Sequence, residues 1–107
     1  MAQCANLQWS DEFQKFNNKN WEVMTGDGCE YDICGWGNNE LEIYSKDNIL
    51  IENNQLIIEA RKDIDKNGVA KYSSGRIRSL NKFDMEYGVL EARIRIPQGQ
   101  VRIYNWL

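Results

Sequence analysis

Histidine is absent from the 107 residues, and proline occurs once, at Pro97. Without histidine there is no Ser-His-Asp triad and no zinc site of mixed Cys/His type. Acid–base chemistry would fall to Asp, Glu, Lys, Tyr or Cys. No apolar run approaches the roughly 20 residues that a membrane-spanning helix needs. An excess of positive charge is also lacking. The 13 Lys and Arg stand against 16 Asp and Glu, a formal charge of −3. Nucleic-acid phosphates and anionic lipid surfaces both call for a basic face, so neither is an expected partner. The chain has 3 cysteines, an odd number that does not make a disulfide framework. Cys29 and Cys34 are close enough in sequence to bridge across a loop, and Cys4 stands near the N-terminus. The preferred reading is small buried or idle thiols, which leaves the compartment undecided. Met1 to Cys4 show no basic stretch followed by an apolar core, so no signal peptide is visible.

What is present reads as β. Apolar residues make up 42% and charged residues 27%, an ordinary globular mixture for one domain. Leu90, Ala92, Ile94 and Ile96 alternate with Glu91, Arg93 and Arg95 and stop at Pro97, the pattern of a half-buried strand. On that reading Glu91 pairs across strands, while Phe83, Tyr87 and Leu90 belong to the core. Two apolar runs flank Asn53-Asn54, a pair that tolerates positive φ and predicts a two-residue hairpin. Asp65-Lys66-Asn67-Gly68 predicts another turn. Val69 to Leu80 and Phe83 to Ile96 are expected to form a second strand pair around Asn81-Lys82. Leu41 to Tyr44 reads as a short strand, and only Asp11 to Asn20 as a short helical turn. Many short strands with frequent turns predict a sandwich or barrel.

Five ordered segments carry a resemblance. Trp9-Ser10-Asp11-Glu12-Phe13 comes first, then Gly35-Trp36-Gly37-Asn38-Asn39-Glu40-Leu41. Asn54 to Arg61, Ser73-Ser74-Gly75-Arg76-Ile77 and Tyr87 to Pro97 follow. From Leu7 to Gln100 the chain resembles the N-terminal part of glycoside hydrolase family 16, laminarinase-type endo-β-1,3(4)-glucanases. The resemblance implies an all-β antiparallel sandwich, a concanavalin A-like jelly-roll with an open concave cleft, incomplete in this chain. Residues 1–107 would form one part of a single such domain, and the 101–107 tail departs from the family pattern.

The resemblance also implies retaining hydrolysis of internal β-1,3-glucosidic bonds in laminarin-like β-glucans, outside the cell. Retention needs two carboxyl groups about 5–5.5 Å apart. The family carries them on one strand as E-x-D-x-x-E, and this chain lacks that motif. Its lone Glu-x-Asp, Glu30-Tyr31-Asp32, is followed by Gly35 where the second Glu would stand, and reads as surface loop charge. No catalytic residue is therefore assigned. By the resemblance, Arg76 reaches into the cleft; the alternative is a surface strand arginine. Asn38 matches a position beside the sugars, or is a turn residue held by its own backbone. Trp36, between two glycines, is free to stand exposed and stack on a sugar face, or else packs inward. Trp9 and Trp21 read as packing residues. Glu12 matches a position that helps hold a structural Ca2+ in some members; no cofactor is required for the hydrolysis. Three functions stay open: part of a glucanase, a non-catalytic β-glucan-binding module, or a β domain that forms a homo-oligomer through open strand edges.

Overall fold

The structure is a computed structural model that describes residues 6–98. The Cys4 thiol and the 101–107 tail, including Trp106, lie outside them. Seven short strands are found among the described residues: β1 (Glu22–Met24), β2 (Ile43–Tyr44), β3 (Ile49–Glu52), β4 (Gln55–Ile58), β5 (Arg61–Ile64), β6 (Ala70–Ser74) and β7 (Arg76–Arg78). The fold is all-β. Strands β3 and β4 form an antiparallel hairpin with Ile51 opposite Leu56. Asn53 and Asn54 both take positive φ, 52° and 58°, so the turn twists in the sense its strands require. The predicted turn at 65–68 also forms, with Asp65 Oδ1 accepting from the Asn67 and Val69 N–H groups at 2.9 Å.

A second sheet has the order β2-β6-β5. Strands β5 and β6 are antiparallel, whereas β2 and β6 run parallel. The third pairing joins β1 to β7, with Met24 opposite Arg76. Gly75 is the switch between these sheets. An added Cβ there would lie 2.6 Å from Ile49 Cγ1 and 3.0 Å from Ile58 Cγ2. Only glycine lets the chain pass this close to the β3–β4 hairpin.

Two expectations differ from the structure. Residues 85–98 form no strand, and Tyr87, Leu90, Ile94 and Ile96 are exposed. The alternating pattern is present, but no described segment hydrogen-bonds along it, and a strand exists only as part of a ladder. Glu91 therefore has no cross-strand partner among the described residues. The expected long strand from Val69 to Leu80 breaks at Gly75, and its halves pair with β5 and β1 instead of with 83–96. The short helical turn expected within Asp11 to Asn20 is present as a single turn, closed by the Asn20 and Trp21 N–H groups on the Asn17 carbonyl.

Packing has two centres. Met24, Trp36 and Tyr44 make the buried core. Trp9, Trp21, Phe13 and Phe83 form an aromatic cluster over the N-terminal loop, with Trp9 stacked on Phe83 at 5.0 Å and edge-on to Trp21 at 5.5 Å. Phe83 thus packs as expected, although not on a strand. Asp11 anchors this loop: its Oδ2 accepts from Trp21 Nε1 at 2.7 Å and Asn20 Nδ2 at 3.0 Å. Asn48, which the sequence did not single out, is buried and donates to the Glu59 carbonyl and Ser73 Oγ. It ties β3, β4 and β6 together.

Candidate sugar-binding site

The loop before β2 carries the most specific segment. Cys29 and Cys34 form a disulfide, so the expectation of idle thiols is corrected. Four residues in this stretch, Asp32, Gly35, Trp36 and Asn39, take left-handed φ near 60°. The loop closes on itself through the Gly35 N–H on the Asp27 carbonyl, 2.9 Å, and the Ile33 N–H on the Gly28 carbonyl, 3.0 Å. This conformation turns the Trp36 side chain inward, to 3% exposure.

Trp36 is therefore not the exposed stacking platform its flanking glycines suggested. Its ring lies 5.1 Å from Tyr44 and 5.5 Å from Tyr31, and the Arg76 guanidinium covers it at 4.7 Å. Burying an indole recovers more apolar area than any other side chain in the loop can. The cation–π contact then fixes the arginine above it.

Arg76 lines an open groove of about 1340 Å³, together with Tyr31, Glu42, Tyr44, Arg78 and Lys82. Its Nη1 is buried without a hydrogen-bond partner among the described residues, as is Trp36 Nε1. Arg78 is committed: it pairs with Glu22 at 2.5 Å. The hydrogen bond from Arg78 holds the Glu22 carboxyl below its ordinary range. Of the groove's arginines, Arg76 is the one with a buried donor that no described residue accepts.

Asn38 is exposed and does not line the groove. Its amide donates to Glu40 Oε2 at 3.1 Å, and the Tyr44 hydroxyl donates to Glu40 Oε1. Burial, and after it the neighbouring Glu40 carboxylate, pushes the Tyr44 hydroxyl far above its usual range. Tyr44 thus stays protonated, a donor at every working pH. Neither Glu40 nor Tyr44 was singled out in the sequence. The signal was available: Glu40, Glu42 and Tyr44 share one face of an extended segment, and Leu41 and Ile43 face away, exposed.

Glu12 is exposed in the N-terminal loop, outside the groove. Its neighbour Asp11 already spends both oxygens on Phe13, Asn20 and Trp21. Calcium takes six to eight oxygen ligands, and among the described residues no cluster of three or more acidic side chains could hold a metal. Glu30 and Asp32 are both exposed, as expected for loop charges.

No protein-family profile matches the chain. It is 38% identical over 91 residues to the clotting factor G alpha subunit of Tachypleus tridentatus, covering 85% of this chain and 13% of that protein. It is 35% identical over 105 residues to glucan endo-1,3-beta-glucosidase A1 of Niallia circulans, covering 88% of this chain and 15% of that one. The catalytic domain of an endo-1,3-beta-glucanase (laminarinase) from Thermotoga petrophila superimposes with a TM-score of 0.66 at 39% identity, over 78% of this chain and 34% of that domain. The chain thus spans a small part of these relatives and about a third of that domain. Identity and superposition of this size show what the chain is similar to: part of the laminarinase-type endo-1,3-β-glucanases, whose all-β jelly-roll fold it shares.

Proposed function

We propose that this chain supplies a sugar-binding wall of a retaining glycoside hydrolase acting on internal β-1,3-glucosidic bonds of laminarin-like β-glucans. Arg76 carries the proposal. Its guanidinium lines the groove, lies over Trp36 at 4.7 Å, and has a buried Nη1 without an acceptor among the described residues. Leaving such a donor unmet costs about 1–3 kcal/mol. Arg76 is half-buried and lines the groove, so the part of its guanidinium that faces the groove can meet a sugar, and a planar fork of donors suits paired hydroxyls. The likeness to endo-1,3-glucanases supports β-glucan as the polymer. The Cys29–Cys34 disulfide supports an oxidising, extracellular setting, where such polymers lie. Two carboxyl groups perform the hydrolysis, so it needs no cofactor.

Those carboxyls are not in this sequence, which contains no E-x-D-x-x-E. That absence favours a second reading for these 107 residues: β-glucan binding without cleavage. Reducing-sugar release from laminarin should stay at background. Laminari-oligosaccharides should bind with a dissociation constant of order millimolar, about 4 kcal/mol. Arg76→Ala should abolish that binding and Glu30→Gln should leave it unchanged, both measured by calorimetry. Turnover by the purified chain, lost on Glu30→Gln, would overturn the assignment.

A further inference from the structure

Between the two sugar-binding candidates runs a continuous chain of contacts. Asn38 Nδ2 donates to Glu40 Oε2, and Glu40 Oε1 accepts from the Tyr44 hydroxyl. The Tyr44 ring lies 5.8 Å below the Arg76 guanidinium, which also covers Trp36. Tyr44 is buried and Glu40 half-buried, so water competes weakly for the bond between them, while the Asn38–Glu40 bond lies at the surface. In such surroundings a charge-assisted bond is strengthened and holds both partners in one geometry.

We infer that Glu40 and Tyr44 are positioning residues that couple Asn38, on the exposed loop, to Arg76, in the groove, so that one sugar chain meets both as a single preorganised unit. The inference rests on the sugar-binding reading of Arg76. Glu40 grips Asn38 and Tyr44 through different oxygens, so a change at Tyr44 is felt at Asn38 without any contact between the two. Holding a polar pair in the bound geometry before the ligand arrives removes ordering entropy from the cost of association.

The two links can be cut separately. Glu40→Gln keeps an oxygen for the Tyr44 hydroxyl but replaces the acceptor facing Asn38 by a donor. Tyr44→Phe keeps the ring under Arg76 and removes the hydroxyl. Each is expected to weaken laminari-oligosaccharide binding about tenfold, or about 1.4 kcal/mol. The thermal midpoint of Glu40→Gln should stay near that of the parent chain, which a purely structural role would not allow. Glu30→Gln serves as the unchanged control.

A second readout needs no sugar. In 1H–15N spectra of the free chain, Tyr44→Phe should shift the Asn38 side-chain amide pair, and Glu40→Gln should shift it further. If the parent chain binds no glucan while these signals move, the sugar-binding reading fails and the coupling stands. If the Asn38 signals ignore Tyr44→Phe, or if binding is retained in both variants, the coupling is overturned.

Discussion

Asn48 and Asp11 each hold a loop in place by hydrogen bonds that no apolar residue could replace. Truncating Asn48 leaves the Glu59 carbonyl and Ser73 hydroxyl without their donor in a buried site. Asn48→Ala should cost about 2 kcal/mol, read as a lowered midpoint in urea. Asp11 shows a balance of opposing effects. Burial raises its pKa, but hydrogen bonds from Asn20, the Phe13 N–H and Trp21 outweigh it, and the net shift is downward. A carboxyl whose native pKa lies below its unfolded one stabilises the fold in full above the unfolded value. That contribution is lost as pH falls through the native value. Stability should therefore decline on acidification below the ordinary carboxylate range. Asp11→Asn should start less stable at neutral pH and decline less steeply, as checked by denaturation at a series of acidic pH values.

At the scale of elements, the loop from Asp27 to Glu40 decides what the groove looks like. Its left-handed residues, its backbone bonds and the Cys29–Cys34 bridge together turn Trp36 inward. A disulfide across so short a loop should contribute about 2 kcal/mol, chiefly by restricting the unfolded chain. Reduction with dithiothreitol should lower the thermal midpoint accordingly. Because Trp36 leans on the bridged loop, reduction should also change the near-ultraviolet circular dichroism of its ring. The β3–β4 hairpin behaves differently. Asn53 and Asn54 adopt their turn with neighbours alone to guide them, and this hairpin should tolerate changes elsewhere in the molecule.

Over the whole molecule, apolar surface is distributed unevenly. The core holds Met24, Trp36 and Tyr44, while Tyr87, Val89, Leu90, Ile94 and Ile96 stand exposed at 88%, 85%, 64%, 58% and 55%. Their segment keeps the alternation of a strand and has no ladder among the described residues. Unpaired backbone beside a row of apolar side chains recruits other chains. The purified chain should sediment as a dimer or larger species, or precipitate as its concentration rises. A monomer at high concentration with cooperative unfolding would contradict this expectation. Leu90→Lys together with Ile94→Lys should shift the population towards monomer in the same sedimentation experiment.

Features that depend on a few neighbouring residues were legible in the sequence. The Asn53-Asn54 hairpin, the Asp65–Gly68 turn and the exposed loop charges Glu30 and Asp32 all follow from local φ/ψ preference or local polarity. The ordered motifs, from Trp9 through Gly35-Trp36-Gly37 to Arg76, also sufficed to point to the laminarinase branch. Other features depend on residues far apart in sequence. The fate of Leu90 to Ile96 turns on whether a partner strand lies alongside, and alternation alone supplies none. The burial of Trp36 required Tyr31, Tyr44 and Arg76 to converge on its ring, and two flanking glycines could not announce that. Asn48 looked like any polar turn residue until β4 and β6 closed over it. Local sequence determined the turns and the periodicity; only tertiary contact decided which faces were covered, because burial belongs to pairs of surfaces and not to one segment.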